Sequence, residues 1–270
     1  MNKIDEVFAS LQQTGETALI PFITVGDPTP ELTVEILKQV ERAGAHMVEL
    51  GVPYSDPLAD GPVIQRASLR ALKHRITIKD CIHIAAKARK EGVNMPFILF
   101  SYYNPILQVG VEETFRLLSE NEISGVIIPD LPIEENEEAR LIAERYQIHL
   151  IPLVAPTSNQ RIAKITEHAS GFVYCVSSLG VTGERSQFDD RLEQFVREVK
   201  QISALPAAIG FGISSHEHVK RFSQFSDGVI IGSAIIRKIE EVEHLLLDED
   251  ARSEGLEQIY SFVRQLKYGE

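Results

Sequence analysis

Two carboxylates stand close together in the segment VELGVPYSDPLADGP, which starts at residue 48. Glu49 falls in an apolar run typical of a buried strand, and Asp60 follows in a loop that contains three prolines. Burial raises the pKa of a carboxylate, so that it can carry a proton near neutral pH. A lone strand glutamate is more often held by backbone amides, and a lone Asp60 would be an ordinary loop or helix-cap residue. The adjoining Gly/Pro/Asp loop favours function, with Asp60 as a candidate proton acceptor.

Glycines follow two later apolar runs, in IGFGIS at 209–214 and in IGSA at 231–234. Backbone N–H groups at such turns, together with the start of a helix near Ser233, form the usual phosphate site of a parallel barrel. No Lys or Arg lies between Ala207 and Val219, so backbone amides would neutralise the phosphate. Glycines can also serve only to allow tight turns, but two such loops favour phosphate binding. The candidate residues are Phe211, Gly212, Ile213, Gly232 and Ser233.

A third loop, SSLGVTG at 177–183, has the small residues of a mobile lid, although an ordinary long loop would look similar. Tyr174 precedes it and needs a hydrogen-bond partner if it is buried. Apolar and aromatic residues near the ends of three predicted strands could wall an aromatic substrate, although each is more often plain core: Phe22, Ile64, Phe100 and Tyr102.

The sequence lacks the residues that several common catalytic mechanisms require. No predicted strand ends in a lysine, so Schiff-base aldol chemistry has no nucleophile. The eight histidines form no cluster with metal-ligand spacing, and there is no serine nucleophile elbow and no Walker-type phosphate loop. Acid–base chemistry by carboxylates on a phosphorylated substrate remains, without a metal.

The elements that must position these residues alternate along the chain. Eight short runs rich in Ile, Val, Leu and Phe predict strands buried on both faces: 19–25, 47–51, 96–100, 125–129, 149–154, 172–176, 207–210 and 228–231. Amphipathic segments predict helices between them, including 31–43, 111–121, 134–146, 159–169, 189–202 and 216–222. Thr29-Pro30 and Ser215 are helix-start signals.

This count predicts an α/β fold, a single (β/α)₈ TIM barrel spanning residues 1–270. A doubly wound open sheet is the structural alternative, although it usually has five to seven strands. An N-terminal helix over 3–13 would cap the barrel floor, and one or two outer helices would occupy 242–267.

Composition limits the class of protein. The 270 residues are 44% hydrophobic with a formal net charge of −12, which disfavours disorder and a nucleic-acid partner. No apolar run is long enough to span a membrane, and the start MNKIDEVFAS lacks a signal-peptide pattern. Cys81 and Cys175 show no zinc-type spacing, so a reduced cytoplasmic protein is expected.

The motifs together resemble the tryptophan synthase alpha subunit family, in order along nearly the whole chain: PFITVGDP at 21–28, VELGVPYSDPLADGPVIQ at 48–65, PDLP at 129–132, SSLGVTG at 177–183, FGIS at 211–214 and GSAI at 232–235. The resemblance implies a carbon–carbon lyase that cleaves indole-3-glycerol phosphate to indole and glyceraldehyde 3-phosphate.

The resemblance also implies roles for individual residues. Glu49 would protonate indole C3 and handle the proton of the glycerol hydroxyl, while Asp60 would meet the indole N–H. Tyr174 would lie near Glu49, and Thr182 of the lid would meet Asp60 on closure. The implied phosphate-binding positions are Gly183, Gly212, Gly232 and Ser233. Some members have Arg-Ala where this chain has Ser178-Leu179, so a lid contact from that arginine does not carry over.

The implied partner is a beta subunit that binds pyridoxal phosphate, in an αββα tetramer, with no cofactor in this chain. The loop 51–61, with Pro53, Asp56 and Pro57, and the lid 177–187 are expected to meet that subunit. Two rival functions remain open. A sugar-phosphate isomerase or epimerase could use the same phosphate site, and a binding subunit that only activates an enzyme has no need of buried carboxylates.

Overall fold

Parallel strands form the centre of the molecule. The computed structural model describes residues 1–176, 191–210 and 212–269. The strands are β1 (Ala18–Thr24), β2 (Val48–Gly51), β3 (Phe97–Phe100), β4 (Ile123–Ile127), β5 (His149–Leu150), β6 (Leu153–Val154), β7 (Val173–Val176), β8 (Ala207–Gly210) and β9 (Gly228–Ile231). Their order is β5-β4-β3-β2-β1-β9-β8-β7-β6, and adjacent strands pair in parallel.

The sheet closes through β5 and β6, which are two pieces of the single strand predicted over 149–154. The Ile151 N–H donates to the Val126 carbonyl of β4 at 2.9 Å, and the Pro152 carbonyl accepts from the Tyr174 N–H of β7 at 2.9 Å. Proline has no N–H for a strand ladder, so an interruption at Pro152 is expected. The barrel prediction is confirmed, and the open-sheet alternative is wrong.

Helices follow the strands and cover the outside of the barrel. They are α1 (Lys3–Thr14), α2 (Pro30–Arg42), α3 (Pro62–Leu72), α4 (Ile78–Lys90), α5 (Tyr103–Val109), α6 (Val111–Glu120), α7 (Glu137–Arg145), α8 (Ile162–Thr166), α9 (Arg191–Ile202), α10 (His216–Phe222), α11 (Ser233–Glu241), α12 (Glu243–Leu247) and α13 (Arg252–Tyr268), with a 3₁₀ helix over Pro156–Arg161. Both start signals are confirmed, since the Thr29 and Ser215 side chains accept N-cap hydrogen bonds.

Two helices begin or end more than two residues away from their predicted bounds. The helix predicted from 134 begins at Glu137, because the Glu135 N–H donates to the Pro132 carbonyl at 3.0 Å and closes a turn before it. The helix predicted over 159–169 is divided between the 3₁₀ helix and the short α8.

The N-terminal helix closes the floor of the barrel, as predicted. Asn2 Nδ2 donates to the Ser124 carbonyl of β4 at 2.8 Å, and the Phe8 ring packs 5.5 Å from Phe172, just before β7. At the other terminus, α12 and α13 are the outer helices that the sequence predicted. Cys81 and Cys175 are both buried, free thiols. Among the described helices, none has the length and apolar composition needed to cross a bilayer.

Candidate functional site

A cavity lies at the carboxyl ends of the strands, where parallel barrels hold their chemistry. Its lining is Phe22, Glu49, Asp60, Ile64, Phe100, Tyr174, Gly212, Ile230, Gly232 and Ser233. Every lining residue except Ile230 was a predicted site residue. Ile230 lies two residues before Gly232 in β9, so the alternation of side chains along a strand was the signal that could have identified it.

Glu49 is the most deeply buried charged group of the cavity, with 1% of the residue exposed. Its place in β2 is opposite Phe22 in β1 and Ile98 in β3. Its Oε1 accepts no hydrogen bond from the described residues, unlike a carboxylate held on both oxygens by backbone amides. Burial raises the pKa of Glu49 well above its ordinary value. The side chain therefore keeps its proton to a higher pH than an exposed glutamate does.

Tyr174 of β7 is also buried, and burial together with the charge of Glu49 raises the pKa of its phenol. Two glycines at strand ends make room for the large side chains of the cavity. A Cβ on Gly210 would lie 2.3 Å from the Tyr174 hydroxyl, and a Cβ on Gly51 would lie 2.3 Å from Cζ of Phe22. These glycines were not predicted as site residues, because the contact that requires them lies on another strand.

Asp60 ends the loop after β2 and is 6% exposed. Burial raises its pKa to about 6, while the neighbouring Tyr102 hydroxyl acts in the opposite direction by stabilising the charged form. Gln65 Nε2 donates to the Asp60 carbonyl at 2.7 Å and so fixes the turn into α3. Asp60 is thus a weaker acid than an exposed aspartate, yet largely ionised at pH 7.

Tyr102 was expected to form part of the wall of the cavity, but the structure places it elsewhere. It does not line the cavity but lies behind the loop that carries Asp60. Its hydroxyl accepts a hydrogen bond from the Ala59 N–H at 3.0 Å, and its ring stacks on Tyr54 with 5.1 Å between centroids. Tyr102 therefore supports the loop and acts on the cavity through Asp60.

One wall of the cavity is apolar. The rings of Phe22 and Phe100 pack edge to face with centroids 5.5 Å apart, and Ile64 lies in the first turn of α3. Such a wall suits a flat apolar ring. The two carboxyl groups lie beside it, so a ring bound there would meet both Glu49 and Asp60.

Another part of the cavity has the features of an anion site. Gly212 has φ of +88°, a conformation that favours glycine. Ser233 is the first residue of α11, where N–H groups lack intrahelical partners. None of the described residues that line the cavity is basic, and among them backbone N–H groups and the helix dipole supply the positive charge. Ile213 is buried but does not line the cavity.

The loop over 51–61 leads from the cavity to the surface. Pro53 is buried, while Asp56 and Leu58 are exposed and Pro57 is half-buried. Ser55 Oγ donates to Asp56 Oδ2 at 2.6 Å. The predicted positions Thr182, Gly183 and Phe211, the departure at Ser178-Leu179 and the lid 177–187 lie outside the described residues.

Comparison with known proteins connects this geometry to a family. Residues 8–269 match the family model described as tryptophan synthase alpha chain. The chain is 52% identical over 252 residues to the tryptophan synthase alpha chain of Bacillus pumilus, covering 93% of this chain and 94% of that one. It also resembles the crystal structure of tryptophan synthase subunit alpha from Legionella pneumophila, with a TM-score of 0.89, 34% identity and coverage of 98% and 97%. The structure of a tryptophan synthase complex from Pyrococcus furiosus gives a TM-score of 0.82, 31% identity and coverage of 92% and 97%.

Proposed function

Because the chain belongs to the tryptophan synthase alpha chain family, which forms indole for the beta subunit, we propose that Glu49 and Asp60 cleave indole-3-glycerol phosphate to indole and glyceraldehyde 3-phosphate. The observation that carries this assignment of roles is the pairing of a buried carboxylic acid with a second carboxylate of pKa about 6 in one cavity. Two carboxyl groups with separated pKa values can serve as acid and base.

The first step of the proposed reaction creates an electron sink. Glu49 gives its proton to C3 of the indole ring, and positive charge develops on the ring nitrogen. The ionised Asp60 accepts a hydrogen bond from that N–H and stabilises the charge. Phe22, Phe100 and Ile64 hold the ring and exclude water, which strengthens this interaction.

The second step breaks the carbon–carbon bond. Glu49, now ionised, removes the proton of the hydroxyl on the carbon attached to C3. The C–O electron pair forms the aldehyde, and the electrons of the broken bond return to the ring. Indole and glyceraldehyde 3-phosphate result, and Glu49 regains its proton. Amides near Gly212, Gly232 and Ser233 hold the phosphate.

The proposed mechanism uses neither a metal ion nor a Schiff base, and this chain has no cofactor in it. None of the nine described strands contains a lysine, and no lysine is among the described residues that line the cavity. No lysine amine is therefore placed there to form a Schiff base. Pyridoxal phosphate belongs to the partner. We place the protein in the cytoplasm, in keeping with its two free thiols.

Incubation of the purified chain with indole-3-glycerol phosphate tests the proposal. We expect stoichiometric release of indole and glyceraldehyde 3-phosphate, and loss of both in Glu49→Gln. An isomerase or epimerase would convert a sugar phosphate without releasing indole. A chain that binds the substrate but never cleaves it, alone or with a beta subunit, would contradict the assignment and favour a binding subunit.

The proposed partner is a beta subunit in an αββα tetramer, and the proposed contacts are the loop 51–61 and the lid 177–187. Leu58 is 77% exposed beside Asp56 and Pro57, an apolar side chain at the tip of a loop that ends at Asp60. A partner that covers this loop would fix Asp60 and so favour the active conformation.

Sedimentation with a purified beta subunit tests this interface. Leu58→Ser and Asp56→Ala should weaken the complex and reduce its activation of indole release. Leu247→Ser on α12 is the matched control, since Leu247 is also an exposed leucine but lies on an outer helix. If no complex forms and turnover stays constant as beta subunit is added, the partner proposal fails while the lyase proposal remains.

A further inference from the structure

Four charged side chains outside the cavity connect three elements that carry it. Arg70 of α3 holds the Asp27 carboxylate in a bidentate pair, Nε to Oδ1 at 2.6 Å and Nη2 to Oδ2 at 2.9 Å. Its Nη1 also donates to Glu240 Oε1 of α11 at 2.8 Å. Arg66 pairs with the same Glu240 through two hydrogen bonds of 2.8 and 2.7 Å. We call these four residues the ionic clamp.

Asp27 makes the clamp a rigid anchor. Its side chain is fully buried in the loop after β1. The same loop is fixed on two further sides: the Gly26 N–H donates to Thr33 Oγ1 at 2.9 Å, and His74 Nε2 donates to the Pro28 carbonyl at 2.9 Å. Arg70 therefore docks α3 onto a loop that has little freedom of its own.

Each element that the clamp joins carries part of the cavity. Phe22 lies in β1, before the Asp27 loop. The helix α3 begins two residues after Asp60 and carries Ile64, while α11 begins with Ser233. A helix moves as a unit, so the clamp at the outer parts of α3 and α11 determines where their inner ends lie.

The ionic clamp is better explained by its effect on the orientation of the elements that it joins than by a contribution to the free energy of unfolding. A buried ion pair contributes little net stability, because the cost of desolvation offsets the attraction. A bidentate guanidinium–carboxylate pair is, however, strongly directional, and lysine cannot reproduce its planar fork. Arg70 binds two carboxylates with one guanidinium group. It therefore fixes the orientation of α3 relative to both the loop after β1 and α11.

We propose that Arg70 is a positioning residue, which acts through Asp27 and Glu240 to set the spacing between Asp60 and Ser233. The inference rests on the proposed function, because only a substrate held at both its ring and its phosphate depends on this spacing. Small misplacements of reacting groups by distant changes can lower a rate by about 10²-fold. Separate ring and phosphate fragments do not depend on the spacing.

Arg70→Lys tests the proposal, because it keeps the charge and removes the fork. We expect kcat for indole release to fall by roughly 10²-fold, while the affinities for free indole and for glycerol 3-phosphate, each measured alone by calorimetry, stay near those of the wild type. Arg116→Lys is the matched control. Arg116 also binds two carboxylates, Glu113 and Glu120, but on α6 away from the cavity, and its kcat should be unchanged.

A second variant keeps the proposal testable if Arg70→Lys does not fold. If circular dichroism shows that Arg70→Lys is unfolded, Arg66→Gln is used, because Arg66 is half-exposed and its loss leaves the Asp27–Arg70 pair in place. It should lower kcat less, again without loss of fragment affinity. Unchanged kcat in the folded variant, or fragment affinities that fall in parallel with kcat, would overturn the inference. A wild-type chain that releases no indole under any condition would instead overturn the proposed function.

Discussion

The two ends of the barrel hold charged groups in opposite ways. At the amino end, an open cavity of about 650 Å³ lies between α1 and the loops below β1 and β8. Three of its charged side chains have close partners: Lys200 binds Asp227 at 2.6 Å, and Asp5 lies 2.9 Å from His149. The cavity at the carboxyl end is smaller, about 30 Å³, and among the described residues that line it none is basic.

The comparison teaches that the size of a cavity does not identify a site of chemistry. Paired charges satisfy one another and stabilise the floor of the barrel. The buried carboxyl groups at the carboxyl end have strongly altered pKa values instead, which is costly for stability and useful for proton transfer. Substitutions at the two ends should therefore separate into effects on activity and effects on stability.

The largest expected effect is that of Glu49→Gln. The amide has nearly the same shape but no proton to give, so indole release should fall by about 10²–10⁴-fold. Turnover assays with circular dichroism as the check on folding measure this. Asp5→Asn at the amino end is the control and should keep wild-type turnover. Near-normal turnover of folded Glu49→Gln would contradict the mechanism.

Asp60→Asn should have the next largest effect, about 10²-fold, smaller because the proton for C3 is still present. In the wild type, kcat/KM should rise with pH through about 6, as Asp60 ionises. The variant should lack this limb in its pH–rate profile. A limb near pH 6 that persists in Asp60→Asn would assign it to another group.

The substitution Asp60→Asn should not reduce the free energy of unfolding. The folded pKa of Asp60, about 6, is above its unfolded value of about 3.9, so the native state binds the proton more tightly. The stability that this proton provides is present below pH 4 and is lost as the pH rises through 6. Asp60→Asn removes this loss and should increase the free energy of unfolding at pH 7 by up to about 3 kcal/mol, measured by urea denaturation.

The sequence predicted the barrel and most of the cavity because both depend on local patterns. Apolar runs in the sequence predict the strands. The residues that follow the strands all lie at the carboxyl end of the barrel. Contacts between strands were harder to predict. Gly51 and Gly210 matter because of Phe22 and Tyr174 on other strands, and the ionic clamp joins residues 27, 66, 70 and 240. The extent of one domain over 1–270 stays a prediction.

Gly232→Val should have a moderate effect on one half of the cavity. The nearest atoms to a Cβ there are Phe22 Cβ at 3.5 Å and Ile64 Cδ1 at 3.7 Å, so the fold accepts the first carbon. The branched side chain would fill the space beside the amides of α11. Affinity for glycerol 3-phosphate should fall more than affinity for indole, as calorimetry with each ligand can measure. Equal losses would indicate general collapse of the cavity.

The smallest effect on activity is expected at the amino end, for His46→Asn. His46 Nδ1 accepts a hydrogen bond from the Leu19 N–H at the start of β1, at 2.9 Å, and its Nε2 lies 3.3 Å from Lys267 Nζ. Burial, together with the charge of Lys267, lowers the pKa of His46 to about 4. Protonation would remove the acceptor from Leu19.

The sign of the pH dependence follows from that lowered pKa. The unfolded pKa is about 6.5, so the unfolded state binds more protons, and stability is lost as the pH falls from about 6.5 to 4. The loss reaches about 3 kcal/mol. Asparagine keeps an acceptor near the position of Nδ1 but does not titrate there, so His46→Asn should flatten the urea-unfolding profile across this range and leave indole release unchanged. A profile as steep as that of the wild type would show that another group carries the acid sensitivity, and a large loss of turnover would break the separation between the two ends of the barrel.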